Sequence, residues 1–463
     1  MTASWLIATK PAIAAVLILG ALIFFVINKK MSVGLGMILF LPVIGETYRL
    51  PFGGDNGILI SDIAIAFVLG VWLLKKLVAR QPLPTSVFKK PLVFFTTIAV
   101  FSLLLSLTFL HPADVAAGSL YLIRFIEYTL LALVTLDVAK TEKSARQILA
   151  CAIFAVAVIA IAGFIQLIVY PDLGKLEEYG WDPHINRLVS TWLDPNFVGG
   201  LLAFSLAIIV AVTLSVKGIV KKLGLTLIII LMAAALFMTY SRSAYIAAAF
   251  PLLFIGLIKS RKLLITMIFL TAVGINFLPR AQERINDLTN SVQSLIFNTN
   301  QNPDATARLR IQSWQQTLDL IQKRPLLGSG YNTLKYVKYD EGFVRDTQVH
   351  SASGSDSSLL TIFATTGILG LIAFIALYWN LLKLSWATWQ NQKIPALWQG
   401  YGLGIFAGTL GLLIHSLFVN SLLFPQIMIF IWICAGLLEG SNQRLSLKKT
   451  VVKIGKRRVD HGS

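Results

Sequence analysis

Apolar runs about as long as a membrane span recur through this chain, from Pro11 almost to its C-terminus. The hydrocarbon core of a bilayer is about 30 Å thick, and a helix needs roughly 20 apolar residues to cross it. Backbone within lipid must form either helices or a closed barrel. Barrel strands alternate polar and apolar residues, and these runs do not. The sequence therefore predicts an all-α, polytopic membrane protein and excludes a soluble enzyme.

The charge of the chain indicates membrane topology rather than nucleic-acid binding. The 463 residues are 56% hydrophobic, and their formal net charge is +18. The basic residues lie in short breaks between apolar runs, and Lys and Arg are retained on the cytoplasmic side of a membrane. We therefore expect membrane lipids as partners and no nucleic acid.

The breaks between the runs alternate between two kinds, and this alternation predicts an orientation. Strongly basic breaks are assigned to the cytoplasm, which places the breaks rich in Gly, Pro, Asp and Glu outside. The result is about 13 transmembrane helices with the N-terminus outside and the tail inside, and a 12-helix version with a re-entrant first segment stays open. The outer breaks are 46–57, 111–116, 171–195, 239–242 and 279–356.

The longest outer break, 279–356, contains its own predicted helix. Loops of this length are usually functional or disordered, and the spacing of its apolar residues favours order. Ile311, Trp314, Leu318 and Ile321 fall on one helical face. Pro325 is expected to stop this amphipathic helix, and the glycines of residues 327–330 are expected to form a turn.

Two charges lie within one apolar run, where charge is costly and marks a functional or paired site. Arg124 and Glu127 are three residues apart and so share a helical face. One interpretation is a mutually satisfied pair inside the bundle. The alternative is that Arg124 faces an outward cavity and accepts an anion.

Further cations lie at the predicted outer surface. Arg242 either snorkels to the interface or binds phosphate together with the hydroxyl of Tyr240 and those of its serine neighbours. Arg187 opens the outer break before a span, where Asp194 begins a helix as its cap. Arg308 and Arg310 add two cations on the predicted loop helix.

Histidine is the other candidate for chemistry near neutral pH. His111, His184 and His350 fall in outer breaks, and any of them is a possible general base. His415 lies within a span, where we expect it to satisfy a hydrogen bond of the bundle. The sequence has no HExxH, paired CxxC, GxSxG or Walker motif. Nothing therefore predicts a metal or a cofactor.

Several stretches, in this order, resemble the O-antigen ligase and polymerase superfamily of bacterial membrane glycosyltransferases. Their order, their spacing and the long outer loop make the resemblance specific, although each is weak alone. The closest similarity covers about residues 185–380. The stretches are RLVSTWLDPN (187–196), TYSRSA (239–244), RIQSW (310–314) continuing to RPLLGSG (324–330), and DSSLL (356–360) leading to TGILG (366–370), with ISD (60–62) before them.

The resemblance implies a substrate and a place. Members transfer a glycan from a polyprenyl pyrophosphate to an acceptor hydroxyl, without metal, at the outer face of the bacterial cytoplasmic membrane. The acceptor is a glycan, a lipid or a protein. The candidates for binding pyrophosphate or glycan are led by Arg187 and Arg242, then Arg308 or Arg310, and include Arg124, Tyr240 and Trp314.

The chain departs from the ligase pattern at the fourth stretch. Ligases of this family have His-Asn before its Leu, whereas this chain has Asp356 and Ser357, with His350 six residues before Asp356. Either His350 or Asp356 takes the catalytic role of that histidine, or the activity differs. Polymerase-like members also lack the pair, which favours polymerisation slightly over ligation.

The chain is therefore predicted to divide into four parts. These are N-terminal transmembrane helices (1–184), a ligase-like core (185–380) that includes the outer loop, C-terminal transmembrane helices (381–440) and a basic cytoplasmic tail (441–463). Two other functions stay open. A transporter or flippase for a lipid-linked or anionic solute needs the same cations. A scaffold protein would make Arg187 and Arg242 dispensable.

Overall fold

The computed structural model describes residues 20, 30–45, 49–50, 57–175, 183–266, 268, 305–344 and 354–460. Within them, eight helices are long and apolar enough to cross a membrane. The predicted polytopic α-helical fold is confirmed. The elements named below are α1 (Met31–Phe40), β1 (Arg49–Leu50), β2 (Ile58–Leu59), α2 (Ile60–Val78), α3 (Lys89–Ser106), α4 (Pro112–Val138), α5 (Glu142–Val169), α6 (Pro195–Ser215), α7 (Ile219–Met238), α8 (Arg242–Lys259), α9 (Ala305–Lys323), α10 (Leu334–Asp340), α11 (Ser358–Gln390), α12 (Ala396–His415) and α13 (Pro425–Asp460).

The candidate spans are α3 to α8 together with α11 and α12. The strands β1 and β2 form a short antiparallel ladder just before α2. Helix α2 has 19 residues but includes the charged residues Asp62, Lys75 and Lys76, and it is not among these eight helices. The first half of α13 is apolar and buried. The predicted total of about 13 helices extends beyond the described residues and stays a prediction.

Glycines allow the helices of the bundle to pack closely. A Cβ atom on Gly404 of α12 would lie 2.5 Å from the Cα of Ile208 in α6, and one on Gly408 would lie 2.8 Å from the Phe204 carbonyl oxygen. On α13, a Cβ on Gly436 would lie 2.2 Å from the carbonyl oxygen of Ala132 in α4. Small residues four apart let backbones approach, which is how helices associate where water supplies no hydrophobic drive.

The breaks that the sequence assigns to one side of the membrane contact one another at one end of the helix bundle, as the following contacts show. At the end assigned to the cytoplasm, the Lys76 ammonium of α2 lies 2.8 Å from the Asp137 carboxylate of α4. There the Arg444 guanidinium of α13 also lies 2.6 Å from the Glu142 carboxylate of α5. At the opposite end, the Arg324 guanidinium stacks 3.4 Å from the Phe109 ring centre. The grouping agrees with the prediction, and which end faces the cytoplasm remains predicted.

The outer loop contains the predicted helix α9, and one face of it is buried. Thr317, Leu320 and Ile321 are at most 6% exposed, whereas Leu318 is 44% exposed. Of the four apolar residues that share one helical face in the sequence, Leu318 is therefore the exposed one. The helix ends at Lys323, just before Pro325, as predicted.

A strap formed by residues 325–330 fills a break in α11. At Gly367 the backbone of α11 leaves the helical conformation, with φ 67° and ψ −173°. The freed groups bond to the strap: the Ile368 amide donates to the Pro325 carbonyl at 2.8 Å, and the Ser329 amide donates to the Ala364 carbonyl at 3.0 Å. Irregular backbone inside a membrane protein is tolerated where such partners exist.

Glycine is required at this break for two physical reasons. Its φ and ψ angles lie in a region that essentially only glycine adopts, and an added Cβ would lie 2.1 Å from the Leu326 carbonyl oxygen. Gly342 also has a positive φ, of 73°, but nothing lies within 4 Å of its added Cβ. The two positions therefore separate backbone strain from steric collision.

We expect Gly367→Ala to lower the free energy of unfolding by more than about 3 kcal/mol, because strain and collision add. Gly342→Ala should cost only about 1–2 kcal/mol, from the left-handed conformation alone. Chemical unfolding of both variants in detergent, followed by tryptophan fluorescence, measures the difference. Equal losses for the two variants would show that the strap does not pack against the break.

Candidate functional site

Arg187 joins the loop before α6 to the turn between α7 and α8. Its Nε donates to the Thr239 carbonyl at 2.9 Å, and its Nη2 donates to the Tyr240 carbonyl at 3.3 Å. The next amide, of Leu188, donates to the Met238 carbonyl at 2.8 Å. Two stretches about 50 residues apart in the chain, 187–196 and 239–244, therefore form one surface.

The same loop is anchored on its other side by side chains that bond to neighbouring backbone. The Trp192 indole donates to the Pro42 carbonyl at 2.7 Å, and the Ser190 hydroxyl donates to the Ile159 carbonyl at 2.9 Å. Trp192 is fully buried. Because both flanks are held, the position of Arg187 is fixed by the fold.

Non-glycine residues with left-handed backbone concentrate in these loops. Among the described residues, Leu193 has φ 58°, Tyr240 has φ 49° and Asp356 has φ 55°. Asn and Asp tolerate this conformation, but for a bulky side chain such as leucine or tyrosine it is an outlier costing about 1–3 kcal/mol. Such strain persists only where the surroundings impose it, and it clusters at functional sites. Asn186 and Ser190 of the same loop also have positive φ angles.

The N-terminus of α6 lies at the centre of this surface. The Asn196 amide donates to the Asp194 carboxylate at 2.6 Å, which confirms the predicted cap. The Ser241 hydroxyl donates to the Asn196 side-chain oxygen at 2.7 Å and ties α6 to the turn before α8. A helix N-terminus carries partial positive charge and exposed amides, which favours an anion nearby.

Asp194 also shows that a third element reaches the same place. Removal from water raises the pKa of its carboxyl group, and the bond from the Asn196 amide and the fields of Arg187 and Arg310 oppose that rise. Arg310 belongs to α9, and its charge acts on Asp194 at the α6 N-terminus, as the charge of Arg187 does. Arg187 and Arg310 are both half-buried. The structure thus brings together two of the predicted arginines.

Arg242 and Tyr240 lie beside this pair. Arg242 is the first residue of α8, after the cap Ser241, and Tyr240 is the strained residue whose carbonyl accepts from Arg187. Both side chains are half-buried. The positive N-terminus of α8 therefore adds to the charge of the arginines.

The other predicted residues of α9 differ in their surroundings. Arg308 is exposed. The Trp314 ring lies 6.1 Å from the Phe418 ring, and its buried indole nitrogen has no acceptor among the described residues. Aromatic rings with an unused polar group suit recognition of a sugar, which offers both C–H faces and hydroxyls.

Arg124 is placed elsewhere, in an ion pair with Asp62. Its Nη2 lies 2.6 Å from the Asp62 carboxylate, and its Nε donates to the other carboxylate oxygen at 2.9 Å. Its partner is Asp62 of α2, so the predicted pairing with Glu127 is wrong. The Tyr128 hydroxyl, 2.8 Å from the same carboxylate, completes the cluster. This arrangement explains Arg124 without a bound anion.

Asp356 lies in a rigid frame, whereas His350 lies outside the described residues. The Ser355 amide donates to the Thr361 hydroxyl at 3.2 Å, and that hydroxyl donates to the Asn420 side-chain oxygen at 2.9 Å. Ser357 caps α11 by accepting from the Leu360 amide. Asp356 itself is half-buried, between these two bonded neighbours.

Two buried residues were not predicted as part of the site. His415 is fully buried, and neither ring nitrogen has a partner among the described residues, so the expected bundle hydrogen bond is absent there. Lys338 of α10 is 2% exposed, and its ammonium donates to the Gly354 carbonyl at 2.7 Å. No sequence signal marks Lys338, because docking of the outer loop alone buries it.

Within the described part of the chain, no three His, Cys, Asp or Glu side chains gather as metal ligands.

Breaking the Arg124 pair should destabilise the protein. Arg124→Gln leaves the Asp62 carboxylate buried without its cation, and we expect a loss of about 3–5 kcal/mol in the free energy of unfolding. Arg146→Gln, which removes an exposed pair with Glu142 on one helix, should cost less than about 1 kcal/mol. Denaturant unfolding in detergent compares the two. A stable Arg124→Gln protein with reduced anion binding would instead favour the cavity interpretation.

Comparison with known proteins agrees with the resemblance of the motifs. Residues 227–375 match the family model described as O-antigen ligase. The matched stretch extends from α7 into α11 and includes Arg242, Arg310 and Asp356, whereas Arg187 precedes it. No curated protein matches the chain. The predicted resemblance is confirmed over these residues, and the chain is a polytopic membrane protein whose residues 227–375 are similar to the O-antigen ligase family.

Proposed function

We propose that this protein is a glycosyltransferase of the O-antigen ligase and polymerase type. It transfers a glycan from polyprenyl pyrophosphate to an acceptor hydroxyl at the outer face of the bacterial cytoplasmic membrane. The convergence of Arg187 and Arg310 on the N-terminus of α6, beside Arg242, carries this proposal. Two of these arginines lie inside the family match.

The arginines suit the pyrophosphate of the donor. When the bond between the sugar and the pyrophosphate breaks, its electron pair stays with the pyrophosphate, whose negative charge grows. Cations held in place before the reaction stabilise this charge without reorganisation. Arginine binds phosphate through two parallel hydrogen bonds, and the amides at the start of α6 and α8 add donors.

Asp356 suits the acceptor side of the reaction. The acceptor hydroxyl attacks the anomeric carbon, a new glycosidic bond forms, and the hydroxyl proton must leave. A carboxylate within hydrogen-bond reach can take that proton. We assign this role to Asp356, with His350 as the other candidate in the same segment. Trp314 and Tyr240 are proposed to contact the glycan.

The fourth stretch supports a proposal for the class of acceptor. Asp356 and Ser357 stand where ligases of the family have His-Asn. We therefore propose that the acceptor is another glycan, so that the reaction is polymerisation, ahead of a lipid or protein acceptor. The protein needs no metal in this scheme, since the cations of the site are its own arginines.

A transporter or flippase is the second candidate, and the break in α11 is the observation that favours it. Broken helices line the substrate sites of many transporters. Here, however, the break at Gly367 is filled by residues 325–330, which take its backbone hydrogen bonds. That arrangement leaves less of the broken backbone for a solute, and the enzyme proposal is preferred.

Purified protein reconstituted in sealed lipid vesicles and given a polyprenyl-pyrophosphate oligosaccharide tests the two functions. The enzyme releases polyprenyl pyrophosphate and makes a longer or transferred glycan, which chromatography and mass spectrometry detect. Movement of an unchanged donor across a vesicle membrane, with no pyrophosphate released for any glycan, lipid or peptide acceptor, would establish the transporter instead.

Arg242→Ala should reduce transfer by at least about 100-fold, because it removes a cation from the developing charge. Arg261→Ala removes an exposed arginine from the segment after the other end of α8, and should leave transfer unchanged. Both proteins should remain folded, as judged by thermal unfolding. Full activity of a folded Arg242→Ala protein would place the pyrophosphate elsewhere.

A further inference from the structure

Lys338 connects three parts of the outer region through its ammonium group. It belongs to α10, donates to the Gly354 carbonyl at 2.7 Å, and lies 3.4 Å from the Ser313 hydroxyl of α9. Gly354 is two residues before Asp356. The side chain is 2% exposed, which is rare for lysine and costly unless the ammonium is bonded or paired. An apolar residue would fill the same space without that cost.

The electrostatics of Lys338 involve Asp356. Burial lowers the pKa of the Lys338 ammonium to about 8, and the negative charge of Asp356 opposes the lowering. Other charged side chains occur on the packed elements: Arg308, Arg310, Asp319 and Lys323 on α9, and Lys335 and Asp340 on α10. Among the described residues, Asp356 is the charged group whose field acts appreciably on Lys338.

The segment that contains Gly354 and Asp356 is held from two sides. A Cβ on Gly354 would lie 1.9 Å from the side-chain nitrogen of Asn420, so the segment is held closely against the loop after α12. From the other side, the Lys338 ammonium holds the Gly354 carbonyl. Asp356, with its left-handed backbone, therefore projects from a segment fixed on both sides.

We propose that Lys338 is a positioning residue for Asp356. Its ammonium fixes the Gly354–Asp356 segment against α9 and stabilises the ionised carboxylate that accepts the proton of the acceptor hydroxyl. This inference rests on the proposed function and adds to it a residue that contacts neither donor nor acceptor. Misplacing a catalytic group by about 1 Å costs on the order of 100-fold in rate.

The dependence of transfer on pH tests the role of the ammonium. In the native protein, the rate should fall as pH rises through about 8, where Lys338 loses its proton. In Lys338→Arg, whose guanidinium stays charged, this fall should move to higher pH, with the rate at pH 7 within about tenfold of native. In Lys338→Met, the rate should drop on the order of 100-fold and show no fall near pH 8.

Lys335→Met on the same helix is the matched control. Lys335 lies against the Tyr336 ring rather than the Gly354 segment, so its loss should leave both rate and pH profile unchanged. Thermal unfolding at pH 7 and pH 9 separates loss of function from loss of fold. If one substitution at Lys338 prevents folding, the pH profile of the other variant, compared with that of the native protein, still decides.

Three outcomes would overturn the inference. A native rate that is flat or rising through pH 8 would show that the ammonium is not needed. A folded Lys338→Met protein with native rate would show the same. A fall near pH 8 that persists in Lys338→Met or Lys338→Arg would assign the titration to another group. Absence of transfer by the native protein with every acceptor is a different result, because it contradicts the proposed function itself.

Discussion

The break in α11 and the strap that fills it are the constraint on which the outer half of the structure depends. A span cannot leave backbone groups unbonded in lipid, where each costs several kcal/mol. The strap satisfies this demand by bonding to residues 364–368, and the Ser102 hydroxyl of α3 donates to the Thr365 carbonyl at 2.7 Å. Since α9 leads into the strap and α10 follows it, docking the strap positions both loop helices over the bundle.

The candidate site follows from that docking. Arg310 reaches the N-terminus of α6 because α9 is held beside α11, and Lys338 is buried because α10 is held beside the segment before α11. The Arg187 guanidinium is held at the turn before α8 by hydrogen bonds to the Thr239 and Tyr240 carbonyls. Cations from elements far apart in sequence therefore lie near one helix N-terminus, which is where we propose that the pyrophosphate binds.

Much of the fold could be predicted from the sequence because membrane spans and breaks are local patterns. Span lengths, the end of α9 before Pro325 and the Asp194 cap all depend on neighbouring residues. The partner of Arg124 could not be predicted, because Asp62 lies 62 residues away on another helix while Glu127 is close in sequence. The exposed position of Leu318 and the burial of Lys338 likewise depend on how the outer loop docks.

The left-handed residues Leu193 and Tyr240 have a consequence for biogenesis. Neither side chain favours that backbone, so each adopts it only when contacts from separate helical hairpins are present. The carbonyl partners of Arg187 lie in the turn between α7 and α8, and α9 begins at Ala305, so both follow the Arg187 loop in the chain. The arginine cluster proposed to bind the donor is therefore complete only in a chain whose α6 to α9 are all in place.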